Sequence, residues 1–195
     1  WLERSFGWDT AFVVVGMCSL AALLMAFLLF PRRQPPASTG GKLFDFRPVL
    51  RNRSAMAYSI GYCAHTWEMF VLRSWVVTFL VFSMHVHGSK VSWLIPTVVA
   101  MLMEVIGTVF SVLGNEMALR FGRRRWILLV MCISIVCALG LGFVSGISYW
   151  ATVMACLVYN AFIYADSASL TAGAVGSAEP ERKGATMAMH ALLGY

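Results

Sequence analysis

Residues 54–82 form an apolar stretch long enough to cross a bilayer, yet His65, Glu68 and Arg73 stand near its middle. A second apolar stretch carries Glu104. A charged group at mid-membrane depth costs roughly 2.5–3.5 kcal/mol on insertion scales, so such a group turns toward a protein interior or a hydrated cavity. The chemistry within reach is proton exchange and the holding of a polar or anionic solute. A buried carboxylate near an imidazole can titrate near neutral pH and accept a proton. On a helix, His65 and Glu68 lie about 60° apart and share a face, with Tyr62 and Tyr58 continuing the stripe, as a core face or a polar cavity wall would. Arg73 lies about 140° from Glu68 and needs a partner on another span.

The surrounding elements follow from composition. The chain is 59% hydrophobic and 12% charged, with mean hydropathy +0.75. Soluble domains carry about a quarter charged residues, so this is an integral membrane protein. The net charge of +6 does not point to nucleic acid, because the basic residues fall in short loops between apolar spans. All five cysteines lie inside those spans, without a Cys-x-x-Cys pair, and read as small core residues. No signal peptide is visible. The chain starts at Trp1 and stops at Tyr195, a few residues into an apolar segment. The expectation is a piece of a larger protein, unable to fold fully or act alone.

An all-α, polytopic transmembrane bundle is predicted, with about five complete spans and the start of a sixth. Residues 10–30 form the first span, closed by Pro31. Residues 31–53, rich in Pro, Gly, Ser and basic side chains, read as a flexible cytoplasmic linker. The spans 54–82, 91–113, 126–144 and 149–175 follow, with a sixth beginning at 185. Pro96 is expected to kink the third. Residues 114–125 read as a compact loop and 145–148 as a tight turn. Loops 31–53 and 114–125 hold six and four basic residues, ten of the chain's fifteen, whereas 83–90 and 145–148 hold only Lys90. That bias puts the two basic loops in the cytoplasm. Trp8, Trp93, Tyr149 and Trp150 then fall at the outer interface and Trp126 at the inner one. Antiparallel geometry brings Arg73 and Glu104 to levels differing by about 5 Å, which suggests a pair between them and leaves Glu68 with His65 toward a cavity.

The segment Gly114-Asn-Glu-Met-Ala-Leu-Arg120-Phe-Gly122-Arg123-Arg124-Arg125 resembles the loop motif of the major facilitator superfamily, roughly Gly-x-Leu-Ala-Asp-Arg-x-Gly-Arg-Arg. Arg120, Gly122, Arg123 and Arg124 match; Leu119 stands where the motif has Asp, and Asn115 where it has Gly. The preceding basic stretch resembles that family's central loop. The resemblance therefore implies the last helix of an N-terminal bundle at 1–30, the cytoplasmic central linker at 31–53, and a truncated C-terminal bundle at 54–195. It implies a secondary active transporter that moves a small solute by alternating access, with proton coupling as an option. His65, Glu68, Arg73, Glu104 and Tyr62 would belong to the substrate or proton pathway. Arg120, Gly122, Arg123, Arg124 and Asp166 would belong to a cytoplasmic gate, Asp166 pairing with Arg120. For Arg123, Arg124 and Arg125, plain topogenic charge is the simpler reading. The partners implied are the solute, protons, the bilayer and the N-terminal bundle of the same chain, in a bacterial cytoplasmic (inner) membrane.

Two other classes are weighed. An intramembrane enzyme would need a nucleophile–base or metal constellation, but there is no His-Glu-x-x-His and no Gly-x-Ser-x-Gly. His65-x-x-Glu68 and His85-x-His87 each offer two ligands and no third, so no metal or cofactor is expected. A non-transporting sensor or scaffold of the same fold would keep every signal above.

Overall fold

The computed structural model describes residues 7–31, 45–89 and 93–195, and among them all regular structure is helical. The chain divides into two compact units, Trp1–Gly41 and Lys42–Tyr195. The first holds one helix, α1 (Trp8–Leu29), which buries none of its residues. A helix apolar on every side suits a hydrocarbon surrounding. The second unit runs α2 (Arg47–Arg51), α3 (Arg53–Val86), α4 (Pro96–Phe121), α5 (Arg123–Val144), α6 (Tyr149–Tyr164), α7 (Ser167–Ser177), a 3₁₀ turn (Pro180–Arg182) and α8 (Lys183–Gly194). Among the described residues five stretches are long and apolar enough to cross a membrane: α1, α3, α4, α5, and α6 with α7 taken together.

Several boundaries differ from the sequence expectation. Of the expected linker, residues 32–44 lie outside the described residues, and its end is structured. Asn52 caps α3 by accepting the Ala55 N–H at 3.1 Å, and its amide donates to the Ser177 carbonyl at 2.7 Å. One side chain thus starts α3 and ties it to the end of α7. Pro96 does not kink a span; it sits in the first turn of α4, where a missing N–H costs nothing. The expected loop 114–125 is mostly helix. Beyond Gly114, which is itself helical, no proline or glycine interrupts it before Gly122, whose φ of 88° lets the chain turn between α4 and α5 in one residue. Conversely, the span read as 149–175 is interrupted at Ala165 and Asp166.

The core lies where α3, α4 and α6 meet. Leu72, Val76 and Leu80 of α3, Val99 and Met103 of α4, and Val153, Cys156 and Ile163 of α6 are all buried there. Tyr149, expected in an interfacial belt, is fully buried and donates to the Leu94 carbonyl at 2.9 Å. A buried phenol needs that acceptor. Trp126 likewise does more than sit at an interface, since its indole N–H bonds the Ala165 carbonyl at 3.0 Å. Close approach is made possible by small residues. A Cβ at Gly114 would overlap the Ala165 carbonyl, and Cβ atoms at Gly107, Gly173 and Gly194 would strike the rings of Tyr164, Tyr58 and Tyr62. Helices in lipid gain their packing energy through such contacts, not by shedding water.

Candidate functional site

α3 carries its ionisable groups on two flanks. On one flank Arg73 meets Glu104 of α4: Nε donates to Oε1 at 2.7 Å and Nη2 to Oε2. This two-pronged match is the strong form of the ion pair. Its side chains stay 42% and 46% exposed. Tyr164 adds its hydroxyl to Glu104 Oε2 at 3.2 Å, and the Arg73 guanidinium carbon lies 5.9 Å from the centre of its ring. The ring can take that position because it lies on Gly107. Beside the pair is a cleft of about 350 Å³, lined by Arg73, Val76, Ala100, Met101, Met103 and Glu104.

Deeper on the same flank, His65 Nδ1 lies 2.9 Å from Asp166 Oδ1, both residues 3% exposed. By ordinary hydrogen-bond geometry Asp166 Oδ1 has no partner, so the contact is a close approach of the two groups. Asp166 occupies the break between α6 and α7, which three other helices hold from different sides. α3 brings His65, α4 brings the bare backbone of Gly114 against Ala165, and α5 brings the Trp126 indole. Rings carry the flank onward. Tyr164 meets His65 edge-on at 6.2 Å, Tyr62 stacks on His65 at 5.6 Å, and His190 of α8 stacks on Tyr62 at 4.2 Å. His190 contacts Ser59 Oγ at 3.2 Å and Thr171 Oγ1 at 3.3 Å. The Ser59 and Thr171 hydroxyls also donate to the Ala55 and Ser167 carbonyls, which ties the His190 ring to the backbones of α3 and α7.

On the other flank is Glu68. Its Oε1 accepts from Ser134 of α5 at 2.5 Å and from Tyr159 of α6 at 2.8 Å. The expectation that Glu68 and His65 look into one cavity is therefore corrected: 60° of rotation is enough to hand them to different neighbours. The expected Arg120–Asp166 pair is not formed either. Arg120 reaches back to Glu116 at 3.2 Å on the exposed last turns of α4, while Asp166 is sealed among helices with His65. Arg123 lies over Gly176 near the end of α7, where the helix dipole is negative. His87, weighed as half a metal site, instead contacts the Ser145 carbonyl at 2.9 Å.

The structural pattern and the motif at the α4–α5 corner can be set beside known families. The model for the Major Facilitator Superfamily matches residues 1–195. The chain belongs to the major facilitator superfamily. Comparison with curated proteins and with solved structures gives no match. As a superfamily member the chain is an integral membrane protein of the transporter class. Within that frame the sequence reading missed His190, Ser134 and Tyr159. The only signal available was that each is a polar side chain in an apolar span, and hydroxyls and imidazoles in such spans are too common to choose among without knowing which helices touch.

Proposed function

We propose that the protein is a secondary active transporter that carries a small polar or anionic solute by alternating access, coupled to proton movement. The observation behind this reading is the half-exposed Arg73–Glu104 pair beside a 350 Å³ cleft, continued by Tyr164 to the buried His65–Asp166 contact. Arginine grips a planar carboxylate or a phosphate as readily as it grips Glu104, so a solute anion can exchange with the internal one. Glu104 released in this way, and His65 with Asp166 behind it, are the groups that would take up or give up protons. Tyr62 lines the same route. Arg120, Gly122, Arg123 and Arg124 would form the cytoplasmic corner on which the bundle pivots, with Glu116 as the partner of Arg120 in this conformation. The break at Asp166 gives the α6–α7 span a place to bend. The membrane would be a bacterial cytoplasmic one, with residues 31–53 and the α4–α5 corner inside, and an N-terminal bundle of the same chain would complete the cavity.

The test is flux in proteoliposomes holding the full chain, with a pH gradient imposed and a panel of labelled carboxylates and phosphates outside. Gradient-driven accumulation is expected, falling at least tenfold in Arg73→Gln and losing its pH dependence in Asp166→Asn. Absence of flux for every solute from a folded protein would favour a scaffold or sensor, and a chemically altered solute would favour an enzyme.

A further inference from the structure

α3 and α5 both start at the basic end of the bundle and run in the same direction, and a slot of about 380 Å³ lies between their first turns. Ser54, Ala57 and Gly61 line it from α3, and Arg124, Leu128 and Met131 from α5. Ser54 and Arg124 are each the second residue of their helix. Gly61 and Met131 each stand seven residues further on, about 10 Å along the axis. The slot is therefore polar at one end and apolar along the rest. Its depth comes from small residues. Gly61 admits Leu170 of α7 as a floor, since a Cβ there would lie 3.0 Å from Leu170 Cδ2. Ser54, Ala57, Arg124 and Leu128 are exposed, so the slot opens sideways toward the bilayer. Among the described residues Arg124 makes no ion pair.

A lipid-facing slot with a guanidinium at its mouth is complementary to a molecule with an anionic head and an apolar tail. We infer that it holds one acyl chain of an anionic phospholipid, whose phosphate rests on the Arg124 guanidinium and accepts from the Ser54 hydroxyl. Arginine grips phosphate oxygens in a two-pronged way, and basic pockets between spans at the cytoplasmic side suit anionic head groups. A free phosphate would leave the apolar length of the slot empty. A zwitterionic lipid would bring its own cation beside Arg124. Gly61 lies about 120° around α3 from Arg73, so the lipid would brace the first turns of α3 and α5 without entering the solute cleft. The inference stands whichever solute is carried.

The experiment uses the full chain stripped of lipid in detergent, with phosphatidylglycerol, phosphatidylcholine and inorganic phosphate as probes and native mass spectrometry as the readout. Phosphatidylglycerol is expected to bind at least tenfold more tightly than phosphatidylcholine. Arg124→Gln should remove that preference, while Arg125→Gln, one residue on and outside the slot, should keep it. Ala57→Trp fills the slot and keeps the guanidinium, and should weaken phosphatidylglycerol at least tenfold. In the unmodified protein, a phosphatidylglycerol with a photoreactive acyl chain should crosslink within residues 54–61 and 124–131, and unlabelled phosphatidylglycerol should block it; this arm needs no variant to fold. Equal affinity for the two lipids would overturn the inference, as would a preference that survives in a folded Arg124→Gln variant, or crosslinks elsewhere. Blocking of the crosslink by inorganic phosphate would make this a free-anion site, and an equal loss in Arg125→Gln a diffuse surface attraction; either result sinks the lipid site.

Discussion

The two flanks of α3 solve the same problem differently. On one, His65 and Arg73, about 80° apart around the helix, meet acids: Asp166 at the break before α7 and Glu104 of α4. On the other, Glu68 takes hydrogen bonds from the hydroxyls of Ser134 and Tyr159. A charge matched by an opposite charge regains by mutual attraction part of what desolvation costs, and it holds two helices in one register. A carboxyl group held by hydroxyls has its lone pairs partly occupied, and the contact adds no opposite charge. The first flank is internally complete until a solute or proton breaks a pair.

This difference is sharpest where burial is deepest. His65→Leu leaves Asp166 in the core without its partner. Removing one member of a buried pair costs about 3–5 kcal/mol, so this is the largest effect expected. The double variant His65→Leu with Asp166→Leu should recover most of that loss. Thermal melts of the purified full chain, followed by circular dichroism, would show both. If His65→Leu melted with the unmodified protein, the contact with Asp166 would not be holding the α6–α7 break.

Glu68 should respond more mildly, because either hydroxyl can be lost with the other remaining. A hydrogen bond to a charged group contributes about 1.5–3 kcal/mol, and Tyr159→Phe removes one while keeping the ring in place. The same melts should register a loss in that range. Pairing Tyr159→Phe with Glu68→Gln should give less than the sum of the two single changes. Strict additivity would mean the hydroxyl and the carboxylate do not interact.

How much of this was legible in the residues depends on what kind of question was asked. The spans, their number and a turn somewhere in 114–125 follow from long apolar runs and clustered charge, signals that do not need tertiary structure, but they did not confine that turn to Gly122. The juxtaposition of Arg73 with Glu104 follows from antiparallel levels and helix rise alone. What the sequence could not tell was the rotation of each helix. His65 and Glu68, three residues apart, go to different neighbours because α7 flanks one side of α3 and α5 the other. That choice is made by Tyr rings seated on Gly107, Gly173 and Gly194, contacts between residues far apart in the chain. The break at Asp166 was equally hidden. No proline or glycine marks it, and it is held from outside by Gly114, Trp126 and His65.

The half-exposed pair gives a smaller effect on stability than its geometry suggests. In the hydrated cleft proposed above, Arg73 and Glu104, with side chains 42% and 46% exposed, would be open to screening. Exposed pairs measured by double-mutant cycles contribute about 0.2–1 kcal/mol. A cycle of Arg73→Gln and Glu104→Gln should fall in that window by melting, while the flux lost in Arg73→Gln is at least tenfold. A coupling well above it would mean that the pair is shielded from water and serves to lock register.

The smallest effect belongs to Glu116→Gln. Glu116 and Arg120 are one turn apart on α4, with side chains 55% and 68% exposed. An acid four residues before a base on an exposed helix contributes about 0.3–0.5 kcal/mol. The melt should therefore move barely or not at all. Transport is the more telling readout, because Arg120 was first expected to hold Asp166 and here holds Glu116. If Arg120 serves this one contact only, Glu116→Gln and Arg120→Gln should leave flux near that of the unmodified protein. If Arg120→Gln abolishes flux while Glu116→Gln does not, the guanidinium must find a different acid in another conformation of the cycle. A third variant, Asp166→Asn, then tells whether that acid is the one now sealed against His65: its loss combined with Arg120→Gln should be no worse than either alone.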